Sequence, residues 1–183
     1  MSQQSAATDA VLEADSVRLR PTGPADCDFV VAVERHPDNR KHVEHWSAAQ
    51  HRASLERPGA AHWIVEDDGH PVGYVLLEGT DDPNGSILLR RIAVIGKGRG
   101  YGRTALLLAA RYCFNELRCH RLWLNVAAEN TRAGALYESL GFVQEGVARE
   151  SVRKGDQFVS MRVLSLLASE YRASLEPGGS GRS

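Results

Sequence analysis

The stretch Lys97-Gly98-Arg99-Gly100-Tyr101-Gly102-Arg103-Thr104 has a composition suited to holding phosphate. Alternating glycines let several backbone N–H groups converge, because no Cβ blocks their approach. The stretch leads from a strand-like run into a helical one. The helix therefore adds its unpaired N–H groups and the positive end of its dipole. Such a junction suits a pyrophosphate, and Arg99 and Arg103 add positive charge beside it. Two common phosphate loops do not fit. No GxxxxGK[ST] string is present. A GxGxxG reading from Gly98 or Gly100 meets Arg103 or Ala105 where its third glycine should stand, and no acidic residue follows at the usual spacing. Taken alone, the glycines also suit a tight strand-to-helix connection that binds nothing.

A second segment narrows the choice. It reads Leu122-Trp123-Leu124-Asn125-Val126, then Glu129-Asn130-Thr131-Arg132-Ala133, then Leu136-Tyr137-Glu138-Ser139-Leu140-Gly141-Phe142. Together the two segments resemble the GNAT superfamily of N-acetyltransferases. Residues 97–102 match its [Q/R]-x-x-G-x-[G/A] pyrophosphate loop, with Lys97 where Gln or Arg is usual. Asn130 through Phe142 matches N-x-[RK]-[AS]-x-x-[LF]-Y-x-x-x-G-F. The stretch EGVARESVRKGDQFVSMRVLSLLASEY is similar to the branch containing ribosomal-protein N-terminal and spermidine acetyltransferases. The resemblance covers about residues 16–172.

The resemblance implies acetyl-CoA as cosubstrate, lying where two central parallel strands splay apart, here 86–95 and 121–127. The backbone of Ile92, Ala93 and Val94 would pair with the pantetheine arm. The N–H of Val94 or a neighbour would face the thioester carbonyl, an oxyanion-type donor whose removal elsewhere costs ~3 kcal/mol of barrier. Backbone groups of Lys97, Arg99, Gly100, Tyr101, Gly102, Arg103 and Thr104 would hold the pyrophosphate. Asn130 would bond the pantetheine, Ala133 would line the site beside it, and Arg132 would reach a phosphate or solvate the helix start. Tyr137 would be the general acid that protonates the leaving thiolate. An aromatic core residue is the other reading of Tyr137, since its helix face is apolar.

The attacking amine must lose a proton, and many relatives place a glutamate early in the strand before the loop. Here that stretch is Ile87-Leu88-Leu89-Arg90-Arg91, with no acid. Glu78 is the carboxylate assigned to the role, with Glu44, His45 or a water relay as alternatives. Each of these side chains also suits an ordinary surface position. Arg90 and Arg91 are adjacent in a strand and are expected on opposite faces. The one in the acceptor cleft would favour an anionic or carbonyl-bearing amine over a polycation. His42, His45 and His51 lack a Cys or carboxylate to complete a metal shell, so no metal is expected. Trp46 is assigned to the acceptor pocket, and Trp63 and Trp123 to the core.

The elements that must position these groups follow from periodicity and turn residues. Strands are expected at 17–21, 61–66, 71–78, 86–95, 121–127, 142–152 and 156–167. Helices are expected at 24–34, 44–57, 101–117 and 131–140, the last with Gly141 as its C-cap. DDGHP and DDPNG mark hairpins. The apolar residues of 101–117 cover most of its circumference and predict deep packing. The order gives an α/β class. With the resemblance it implies a single GNAT-like domain: a mixed, mostly antiparallel sheet of about seven strands, splayed central parallel strands, and helices on both faces. Residues 1–15 and 173–183 read as flexible tails around a domain at 16–172.

Composition agrees with one soluble domain. The 183 residues are 43% hydrophobic and 25% charged, with a formal net charge of -1. That balance gives no reason to expect nucleic acid or an anionic membrane as partner. No run approaches the ~18 apolar residues of a membrane span. The N-terminus lacks the apolar core of a secretory signal, and Cys27, Cys113 and Cys119 have no CxxC spacing, so a reducing cytoplasm is the expected setting. The expected partners are acetyl-CoA and an amine, either a protein N-terminus or a small molecule, with the chain a monomer or homodimer. A non-catalytic acyl-CoA-binding module and an ATP-binding protein are the competing classes.

Overall fold

The computed structural model describes residues 11–175. Its elements run β1 (Leu12–Ala14), β2 (Val17–Pro21), α1 (Cys27–Arg35), α2 (Ala48–Leu55), β3 (Ala60–Asp67), β4 (His70–Glu78), β5 (Ser86–Val94), α3 (Tyr101–Arg111), β6 (Arg121–Ala127), α4 (Thr131–Ser139), β7 (Val143–Lys154), β8 (Gln157–Leu167) and α5 (Ala168–Leu175). The strands form one sheet in the order β1-β2-β3-β4-β5-β6-β8-β7. Every neighbouring pair is antiparallel except β5 and β6. This is the expected α/β architecture, with eight strands among the described residues where about seven were expected.

Local chemistry explains the hairpins. Asp68 and Gly69 join β3 to β4, and both have positive φ (47° and 80°), the requirement of a type I′ turn. Strand alternation then divides the core in two. Ala61, Trp63 and Val65 of β3 pack with Val75 and Leu77 of β4 beneath Ala105, Leu108 and Tyr112. Ile64, Tyr74, Leu76 and Ala93 point the other way, onto Val30 and Val33 of α1. Helices therefore cover both faces, as expected. Trp63 is fully buried against Tyr112, with ring centroids 5.0 Å apart, whereas Trp123 is only half-buried.

Several expectations are corrected. β1 lies inside the stretch read as a tail: Leu12 pairs with Leu19 and is buried. A three-residue strand is too short to show a period. The stretch read as a tail from 173 begins inside α5, which follows β8 directly. The rest of those stretches, 1–10 and 176–183, lies outside the described residues. The helix expected over 101–117 is α3 followed by a π-helical turn at Tyr112–Glu116. Its packing is not complete around the axis, since Leu107 is 47% exposed. Helix 44–57 starts later, at Ala48, because Ser47 and Gln50 form a capping box. Gly141 ends α4 as expected, with φ 89°.

Candidate active site

β5 and β6 pair only at Ser86↔Arg121, Ile87↔Leu122 and Leu88↔Trp123. Beyond Leu88 they share no ladder, so the parallel pair opens into a V. A β-bulge lies at the point of divergence. Leu76 pairs with Arg91 and Leu77 with Leu89, which leaves Arg90 as the extra residue on β5. A bulge bends its strand and increases its twist, and here it turns β5 away from β6. In the open half, Ile95 N–H donates to Val72 O at 2.8 Å. Antiparallel alternation therefore turns the N–H and C=O of Val94 and Ile92 away from β4, toward the gap. The Val94 carbonyl accepts from Asn39 Nδ2 at 3.1 Å.

The glycine loop closes the wide end of the V. Gly96, Gly98 and Gly100 have φ of 71°, 92° and 84°, the left-handed region that favours glycine. Gly100 is the N-cap of α3 and supplies no side-chain acceptor. The first helical bond is Thr104 N–H to Gly100 O at 3.0 Å, so the N–H groups of Tyr101, Gly102 and Arg103 precede any intrahelical acceptor. Residues 96–100 are exposed. The flanking cations are held around the loop. Arg99 lies over the Tyr101 ring, 5.6 Å from its centroid, and the Tyr101 hydroxyl donates to Asp67 Oδ2 at 2.6 Å. Arg103 Nη1 reaches Ser139 Oγ at 2.8 Å. Lys97 Nζ donates to Asn39 Oδ1 at 2.7 Å, and desolvation followed by the Arg132 charge lowers its pKa. An electropositive, open helix start of this kind fits a pyrophosphate.

α4 meets the same point from the β6 side. A Cβ placed on Gly102 would stand 3.8 Å from Val94 Cγ2 and 3.9 Å from Leu136 Cδ2, so the loop, the end of β5 and α4 converge. Asn130 caps α4, its Oδ1 accepting Ala133 N–H at 3.2 Å, which leaves its amide N–H₂ as the available donor. Ala133 is half-buried beside it. Tyr137 is 8% exposed, with its ring centroid 5.9 Å from that of Phe142. Desolvation pushes its phenol up to about 12, so it carries its proton throughout the neutral range. The end of β5 at Ile92 and Val94, the loop and α4 with Asn130 and Ala133 thus converge at the gap. Ala93 instead faces Tyr74 of β4 and packs on α1, and Tyr137 packs in the core cluster that holds Val94 and Tyr101. Glu78 stands apart. It pairs with Leu88, at the closed end of the V, roughly 20 Å along β5 from Val94 at about 3.3 Å per residue. It bonds Arg57 Nη1 at 3.0 Å.

The α1/α2 face of the opening holds a polar cluster. Glu34 is completely buried and accepts from Tyr74 Oη (2.6 Å), Arg91 Nη1 (2.9 Å) and Trp46 N–H (2.8 Å), with His51 Nε2 at 3.1 Å. Burial works to raise its carboxyl, but the His51, Tyr74 and Trp46 hydrogen bonds and the Arg91 charge hold it below the usual carboxylate range. Arg91 Nη2 and Arg90 Nη2 both reach Glu44 Oε2, at 2.9 and 3.1 Å. This overturns the expectation that Arg90 and Arg91 point to opposite faces. The bulge at Arg90 breaks strict alternation and brings both guanidinium groups to one carboxylate. Trp46 lies under Arg91 at 3.8 Å. At the rim, Lys154 Nζ in the β7–β8 hairpin donates to Lys41 O at 3.1 Å, joining the α1–α2 connection to that hairpin. His51 is buried on Glu34 while His42 and His45 are exposed. Among the described residues no group of three His, Cys, Asp or Glu could hold a metal.

Glu34, Asn39 and Tyr74 were not singled out by sequence. Each takes its role from partners distant in the chain, and no local pattern marks them.

The profile of the acetyltransferase (GNAT) family matches residues 27–142, and this chain belongs to that family. Enzymes of the family use acetyl-CoA as cosubstrate. The chain is 36% identical over 80 residues to the spermidine N(1)-acetyltransferase of Vibrio cholerae, covering 44% of this chain and 46% of that enzyme. That alignment takes in less than half of the relative's length. The Escherichia coli K12 spermidine N(1)-acetyltransferase is 28% identical over 177 residues, covering 91% of this chain and 94% of the relative. Among solved structures, the V. cholerae spermidine N-acetyltransferase in complex with CoA and spermine superimposes with a TM-score of 0.77 at 24% identity, covering 86% of this chain and 98% of that one. It shares the fold. No helix among the described residues is long and apolar enough to cross a membrane.

Proposed function

We propose that this chain transfers the acetyl group of acetyl-CoA to a primary amine by direct attack within a ternary complex. The observation that carries the reading is the V between β5 and β6, flanked by the glycine loop on one side and the buried phenol of Tyr137 on the other. The pantetheine arm pairs with the open edge at Ile92 and at the Val94 N–H, the Val94 carbonyl being held by Asn39, and the pyrophosphate sits on the start of α3. Ala133 and the Asn130 amide line the arm. The amine nitrogen attacks the thioester carbon, and Val94 N–H stabilises the oxyanion. The C–S bond breaks, and the thiolate sulfur takes the Tyr137 proton. The ammonium proton of the acceptor leaves through water, since Glu78 stands at the far end of the V. The names of the relatives make polyamines one candidate class of acceptor, beside protein N-termini and other small amines.

The test is release of free CoA thiol over an amine panel. Tyr137→Phe is expected to lower kcat by about 10²-fold or more, as for loss of a general acid, with acetyl-CoA affinity kept. Tight acetyl-CoA binding with no acceptor modified, and no effect of Tyr137→Phe, would instead mark a binding module.

A further inference from the structure

We propose that Arg90 and Arg91 form a carboxylate-binding subsite at the β5 bulge, on the acceptor side of the cleft, so that the preferred acceptor is an amine that also bears a carboxylate. This rests on the acetyl-transfer reading above and names its substrate class. Arg91 is held as a preformed group. Its side chain is 4% exposed, its Nη1 is fixed by fully buried Glu34, and its guanidinium lies over the Trp46 ring at 3.8 Å. Only Nη2 turns outward, and there its partner is Glu44, a side chain 62% exposed on the irregular connection between α1 and α2. Arg90, brought to the same side by the bulge, meets the same Glu44 oxygen at 3.1 Å.

Glu44 itself is 62% exposed and rehydrates readily on leaving, but Arg91 Nη2 is buried and needs an acceptor, so Glu44 leaves only in exchange for another carboxylate. The two guanidinium groups carry +2 and Glu34 supplies −1. The +1 that remains is what Glu44 neutralises. Glu78 approaches Arg90 Nε only at 3.9 Å and is closer to Arg57, at 3.0 Å. A buried guanidinium that loses its acceptor is strongly disfavoured, and an incoming carboxylate replaces Glu44 with charge-assisted hydrogen bonds. Glu44 is thus a placeholder for a substrate carboxylate. The subsite lies on β5 directly before Ile92–Val94, so an acceptor held there by its carboxylate can extend its amine along the strand toward the thioester. A polyamine would bring positive charge to two arginines.

The shared chemistry fits a free amino acid or a peptide with an acidic first residue. The experiment measures CoA release by the full chain with five acceptors: free aspartate, aspartate as its diamide, a peptide amide beginning with Asp, its Asn counterpart, and spermidine. At least one carboxylate acceptor is expected to exceed its amide counterpart about tenfold or more in kcat/KM. The pair that shows the difference identifies the source. Arg90→Gln should abolish that ratio with the KM for acetyl-CoA unchanged. Glu44→Gln, at an exposed position, should lower the KM of the carboxylate acceptor. Equal or better turnover of the amides or spermidine, or a ratio that survives Arg90→Gln, overturns the proposal and leaves acetyl transfer standing. Absence of turnover with every acceptor overturns both.

Discussion

Glu34 and His62 lie in the same cluster and meet burial in opposite ways. The carboxylate keeps its charge because strong donors surround it. His62, 3% exposed and stacked on Tyr74 at 5.4 Å, stays neutral. Desolvation, with the charges of His51 and Arg91, lowers its pKa from 6.5 to about 3. Its Nδ1 is satisfied by Thr22 Oγ1 at 2.8 Å. The unfolded chain takes up this proton below the ordinary value of 6.5, whereas the folded protein does so only near 3. Between those values the unfolded state binds more protons, so stability falls as pH is lowered, by up to about 1.4 kcal/mol per pH unit. The Tm of the wild type is therefore expected to drop between pH 6.5 and 5, and that of His62→Gln to drop less. Equal slopes in a thermal melt series would contradict the assignment. None of this was visible in sequence, where Glu34 looked like the end of a helix and His62 like one position of a strand. Burial of a polar side chain is fixed by what crosses it from other elements.

At the scale of elements, legibility followed range. The glycine turn at 97–102 and the starts of α3 and α4 depend on neighbours in the chain, and the sequence placed them well, although it did not show the Asn130 cap. The bulge at Arg90 did not show. It exists only in the register of β5 against β4, and nothing within Leu88–Ile92 marks which residue is extra. β1 and α5 were missed for the related reason that short elements are defined by the strand or core they join. Close approach between β4 and β5 gives an element-scale prediction. A Cβ on Gly73 would lie 2.3 Å from Ala93 O and 2.9 Å from Val94 Cα, both backbone atoms. Gly73→Ala should push the end of β5 outward, destabilise the fold by about 1–3 kcal/mol and raise the KM for acetyl-CoA. At Gly134 the nearest atom is the far end of the Arg162 side chain rather than backbone, at 2.5 Å, although that guanidinium is also bonded to Gln144 and Glu138. Gly134→Ala should therefore be mild in both readouts. Urea unfolding and steady-state kinetics of the two variants, side by side, check the contrast.

For the whole molecule, the sheet order explains why the gap lies in the middle of the sheet. Two antiparallel blocks, β1 to β5 and β6 to β8, meet at a single parallel seam. A seam paired over so few residues leaves a free backbone edge in the centre of the sheet. The glycine loop and α3 come from one block, and α4 comes from the other. The proposed acetyl transfer seats acetyl-CoA in this gap. Isothermal titration of acetyl-CoA into the wild type and into Gly100→Glu tests that claim most directly. No heavy atom lies within 4 Å of a Cβ placed at Gly100, so the substitution adds a negative charge and a strained φ at the phosphate site without filling the core. The expected result is saturable binding by the wild type that the folded variant has lost. Failure of the folded wild type to bind, or equal binding by both proteins, would contradict the account.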